Sequence, residues 1–85
     1  MQPVTSQAGI EFLRTEVEMA QVFANIAATT DNPEKYLRNI EHARRAHHTV
    51  LHFLKTLPLG EDERDELNAK VMELRRQLAT LGETV

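Results

Sequence analysis

Apolar residues recur along this chain at alternating steps of three and four. Ile10, Leu13, Val17, Ala20, Ala24 and Ala27 form one such row. Tyr36, Ile40, Ala43, His47, Val50, Leu54 and Leu57 form a second, and Leu67, Val71, Leu74, Leu78 and Leu81 a third. Steps averaging about 3.5 residues place each row on one helical face, in the rhythm of left-handed bundle packing. No segment alternates strictly between apolar and polar positions, as a half-buried strand would.

The helix breakers stand between these rows. The glycines and prolines occupy positions 3, 9, 33, 58, 60 and 82, leaving 10–32, 34–57 and 61–81 uninterrupted. Asn32-Pro33-Glu34 offers a capping side chain, a proline at the first helical position and an acid near the positive end of the helix dipole. Leu57 precedes Pro58 and is pushed out of the α region, which ends the second helix. Gly60 opens a third helix with the acids Glu61, Asp62 and Glu63, and Gly82 stands where a left-handed residue closes it. The first helix is marked less sharply: Thr5 or Ser6 is a candidate cap, and Gly9 a point of fraying. These signals predict helices over about 8–29, 33–57 and 61–81, with 1–6 and 83–85 as frayed tails. Connections of a few residues force neighbouring helices antiparallel. The expectation is an all-α, up-down-up three-helix bundle formed by one domain, 1–85.

Some large apolar residues lie off the rows. Leu37 and Leu51 flank the second row on one side and Phe53 on the other, as expected of a helix that touches two neighbours. Phe12, Met19, Phe23 and Ile26 form a second stripe on helix one, interrupted by Glu16. Because the alanines of the first row already offer a close seat for one helix, the stripe predicts cover from another side. An identical chain is the commonest source of such cover, so a homodimer through Phe12, Met19, Phe23 and Ile26 is expected.

Composition narrows the classes. The chain is 41% hydrophobic and 27% charged, which suits a folded domain rather than a disordered one. It has no cysteine, which removes disulfides, thiolate metal sites and a cysteine nucleophile. No apolar run reaches the ~18 residues of a membrane span. The opening Met1-Gln2-Pro3-Val4 carries no basic leader, and the first arginine is Arg14. A cytoplasmic protein without membrane association is therefore expected.

The net charge of −3 conceals a division between helices. Helix two is basic, whereas helix one and the segment from residue 60 are acidic. Arg38, His42, Arg45, His52 and Lys55 follow one another by 3, 4, 7 and 3, and define a candidate basic stripe for phosphate or an acidic partner. The acidic pI near 5.8 and the lack of an aromatic platform argue against nucleic acid.

All four histidines lie in helix two. His48 and His52, four apart, share a face and are the weak candidate for a metal clamp, but two ligands do not make a site and no metal or cofactor is expected. His47 falls in the apolar row, where burial would disfavour its charged form and make the fold pH-sensitive. His52-Phe53-Leu54-Lys55 resembles the His-x-Leu-Lys core of histidine phosphotransfer domains, which implies a four-helix bundle carrying phosphate on His52. The glycine that follows the lysine in that family is Thr56 here, and Pro58 ends the helix where the family's continues. Asn32-Pro33-Glu34 with Ile40 and Ala43 resembles a tetratricopeptide helix start, yet no period of about 34 residues recurs.

No nucleophile triad, phosphate-cradling glycine loop or convergent carboxylate pair is present, so catalysis is not expected. The leading expectation is a small helical interaction and oligomerisation module that binds protein partners. The alternative is a phosphate-relay or metal-binding module built on the helix-two histidines.

Overall fold

The computed structural model describes the backbone of residues 2–83 and the side chains of 7–83. Three helices follow one another: α1 (Gln2–Thr29), α2 (Pro33–Thr56) and α3 (Glu61–Thr80). Their direction is readable from which residues meet. Phe12 faces Phe53 and Phe23 faces His42, so α2 runs antiparallel to α1. Arg14 bonds to Glu66 and Asn25 to Gln77, two pairs with the same separation of 52, so α3 runs parallel to α1. The result is an up-down-up bundle measuring 48 × 19 × 16 Å.

The three rows form the core. Every member of the first row is buried, with Leu13, Val17 and Ala20 fully so. Ile40, Ala43, His47, Val50 and Leu54 are buried from the second row, and Leu67, Val71, Leu74 and Leu78 from the third. Tyr36, Leu57 and Leu81, at the ends of their rows, pack against this core while staying partly accessible. At ~2 kcal/mol for each fully buried large side chain, these rows are the main source of stability.

The helix ends follow the expected chemistry. The Asn32 side chain accepts from the Lys35 N–H at 3.0 Å. Glu63 folds back so that its carboxylate accepts the Gly60 N–H at 3.0 Å. At the end of α3, Gly82 has φ +87°, its N–H donates to the Ala79 carbonyl, and the Glu83 N–H donates to the Leu78 carbonyl. This is a Schellman closure, and it needs a residue without a Cβ at the left-handed position.

The start of α1 differs from expectation. The helix runs back to Gln2 rather than beginning near residue 8, so residues 2–6 continue it. Pro3 falls in the first turn, where a missing N–H costs no intrahelical bond. Gly9 does not fray the helix. A Cβ there would stand 3.0 Å from Leu57 Cδ1, so glycine lets Leu57 close against α1. The side chains of the expected caps Thr5 and Ser6, and the tail residues Met1, Thr84 and Val85, lie outside the described residues. Glu83, also expected in a frayed tail, is anchored by two side chains of α2.

The three interfaces are unequal. α1 packs most closely on α2 and less on α3, while α2 and α3 approach each other least.

Candidate functional site

The weak α2–α3 interface has a specific construction: it is tied at its two ends and open between them. At one end, the Arg64 guanidinium donates to the Leu54 carbonyl and reaches the Leu57 carbonyl at 3.5 Å. The Leu54 carbonyl has no N–H to accept four residues on, because that residue is Pro58. Arg64 therefore supplies the donor that proline removes, at the helix end where a cation is favoured. At the other end, the Tyr36 hydroxyl lies 3.3 Å from both the Leu81 carbonyl and a Glu83 carboxylate oxygen. Glu83 also accepts from Arg44 at 2.8 Å. Burial, together with the Glu83 charge, raises the Tyr36 hydroxyl above its ordinary pKa and keeps it protonated.

Along one flank of α2 lies an open groove of about 820 Å³, lined by α2 residues and Glu83. Leu37, Ile40, Leu51 and His47 form its apolar side, Arg44, Arg45 and His48 its basic rim, and Glu41 and Glu83 answer the two arginines. Arg64 points at α2, and Arg75, eleven residues or about three turns later, lies on the same line of α3. Leu37 in this groove is 65% exposed, and Met72 on α3 is 69% exposed.

His47 is the buried histidine expected of the second row. It is 7% exposed and its Nε2 has no hydrogen-bond partner. Burial lowers its pKa from the ordinary value, and the positive charge of Arg75, His48 and Arg44 lowers it further. At neutral pH it is an uncharged imidazole in an apolar wall.

The basic stripe is only partly assembled. Arg38, Arg45, His52 and Lys55 are exposed, but Arg45 is bound to Glu41 at 2.7 Å. His42 is turned inward under Phe23, with ring centroids 5.0 Å apart, and so leaves the stripe. Its i,i+4 spacing cannot reveal this, because the cover comes from another helix. His48 and His52 are both exposed, and among the described residues no group of three or more His, Asp or Glu side chains is arranged to hold a metal. The His52 ring packs edge-on to Phe53. The four-helix bundle implied by the phosphotransfer resemblance is met by three helices among the described residues.

The stripe on α1 divides in two. Phe23 and Ile26 are partly buried, Phe23 against the core. Phe12 meets Phe53 edge-to-face at 5.7 Å yet stays 43% exposed, and Met19 is 46% exposed. Val22, 50% exposed and one turn beyond Met19, extends the outer half into a ridge. Val22 stands outside both rows of α1, so spacing alone does not single it out. Arg14, the one base of α1, is engaged by Glu66 through two hydrogen bonds of 2.7 and 2.8 Å. Glu11, Glu16 and Glu18 are left without an ion pair among the described residues.

No helix of the described residues is long and apolar enough to cross a membrane. Comparison with protein-family models, curated proteins and solved structures finds no significant match.

Proposed function

We propose that this chain is a protein-interaction and self-association module, whose smallest working unit is a pair of copies joined through α1. The observation that carries this reading is the ridge of Phe12, Met19 and Val22. These side chains stay 43–50% exposed after the chain's own core is filled. Contiguous exposed apolar groups on a small domain are the usual mark of a docking face. The inner half of the original stripe, Phe23 and Ile26, supports the ridge from below rather than meeting a partner. Catalysis has no part in this reading.

Sedimentation at tens of micromolar tests it. Wild type is expected to run heavier than a 9.7 kDa monomer. Met19→Glu, which places a charge on the exposed ridge, is expected to return the chain to a monomer with unchanged helix content. A wild type that stays monomeric at those concentrations overturns the reading.

A further inference from the structure

Exposure traces a longer row on α1 than the ridge alone. Ala8, Phe12, Thr15, Met19, Val22 and Thr29 are all exposed, and Ile26, half-buried beneath them, completes the spacing. The steps are 4, 3, 4, 3, 4 and 3, the rhythm of helix-on-helix packing. Hydropathy alone does not reveal this row, because Ala8, Thr15 and Thr29 belong to it. It lies opposite the core: Val22 and Ala24 are two residues, or about 200°, apart, and are 50% and 1% exposed. α1 therefore carries two packing faces, of which the chain's own bundle fills one.

We propose that this outer row pairs with the same row of a second copy, antiparallel, about a two-fold axis level with the bond between Ala20 and Gln21. The inference rests on the self-association reading and adds to it the direction and register of the pair.

Size is the first argument. In this register Phe12 stands level with the partner's Thr29, and Met19 with the partner's Val22, and the two-fold axis repeats both pairs. Each layer sets a larger side chain against a smaller one, the alternation by which facing helices fill the space between them. A parallel pair would set Phe12 against the partner's Phe12 and Thr29 against the partner's Thr29, crowding one layer and thinning the other. The Thr29 hydroxyl donates to the Asn25 carbonyl at 3.1 Å, so it needs no partner across the contact.

Charge is the second. Every charged side chain of α1 lies between residues 11 and 18, and residues 19–30 carry none. Arg14 is engaged by Glu66, which leaves Glu11, Glu16 and Glu18 without an ion pair among the described residues. A parallel pair would align these acids with their own copies, and like charges brought together at an interface select against that arrangement. The antiparallel register sets them level with the partner's Phe23, Asn25 and Thr30, all uncharged. Because both copies use the same patch, the contact closes at two.

The chain has no cysteine, so introduced cysteines can report the register. Phe12→Cys and Thr29→Cys are oxidised separately and as an equal mixture, at a concentration where both sediment as dimers. The mixture is expected to give a disulfide-linked heterodimer, identified by mass. Neither variant alone is expected to link to itself, because like positions stand about 26 Å apart along the helix axis, beyond disulfide reach. Position 29 also gives a test by sign, read by sedimentation at low salt, with circular dichroism to establish unchanged helix content. Thr29→Lys, placed level with the partner's Glu11, should tighten the dimer severalfold, and Thr29→Glu should loosen it severalfold. In a parallel pair each would face its own copy, and both would loosen it. A wild-type monomer removes the inference together with the self-association reading. A wild type that associates while either cysteine variant links to itself, the mixture gives no heterodimer, or Thr29→Lys loosens the contact removes the antiparallel register and leaves self-association standing.

Discussion

The α1–α2 and α2–α3 interfaces share one helix and are built in opposite ways. α1 and α2 pack most closely, and buried small residues stand on both: Ala20, Ala24 and Ala27 on α1, Ala43 and Ala46 on α2. Small side chains let two helices approach closely along their length, and larger ones such as Phe12, Phe23 and Phe53 close over the edges. Between α2 and α3 there is no such seam. Polar ties hold the two ends, through Arg64 below and Tyr36 with Glu83 above, and an open groove runs along α2. Buried small residues let two helices close on each other, whereas ties at the ends leave the flank of α2 between them open.

The sharpest way to break the contrast is to overfill the tight seam. Ala24→Leu, with Ala24 only 1% exposed, is expected to cost about 1–3 kcal/mol, read as a fall in the denaturation midpoint. The same enlargement at an open-side position should be tolerated. Next in size is the lower tie. Arg64→Met leaves the Leu54 carbonyl without its donor and is expected to cost about 1–2 kcal/mol in chemical denaturation. If the loss is nil, water satisfies that carbonyl equally well and the tie is not a structural element. The upper tie can be loosened through the backbone: Gly82→Ala forces a Cβ into the left-handed region, at about 1 kcal/mol, and should weaken the hold of Glu83 on Tyr36 and Arg44.

Acid probes the groove wall itself. The depressed pKa of His47 means the unfolded chain takes up a proton before the folded chain does. Stability from this residue is therefore complete above the unfolded value near 6.5 and declines as pH falls from there through the folded value. The charged groups beside it, Arg75 on α3 and Arg44 and His48 on α2, oppose protonation in the folded state. In His47→Leu the melting temperature should lose this slope between neutral pH and pH 5; an unaltered slope assigns the effect to other groups. The smallest expected effect comes from Leu37→Ala in the open groove, within about 0.5 kcal/mol. A large loss there would mean that the groove is closed in the free chain.

Much of this was legible from spacing. The three rows predict nearly every buried residue, and Asn32, Pro58, Gly60 and Gly82 mark their helix ends for reasons that lie within a few residues of each. His47 was recognisable as a core-edge histidine because its row is unbroken on both sides. What was not legible is equally specific. His42 reads as one step of a basic stripe until Phe23 covers it. Gly9 reads as a weak point until Leu57 occupies the space its missing side chain leaves. Arg64 reads as one more charge in an acidic helix start, although the carbonyl it serves is ten residues away on α2.

Periodicity records the direction in which each side chain leaves its own helix, a local property set by a turn of about 3.6 residues. That sufficed to determine the helices, their apolar faces and their antiparallel succession. How far apart two helices stand depends on the sizes of side chains from both, and on ties between residues distant along the chain. Those quantities exist only once the helices have met. The tight α1–α2 seam, the open flank of α2 and the half-covered ridge on α1 were therefore decided by the packed bundle.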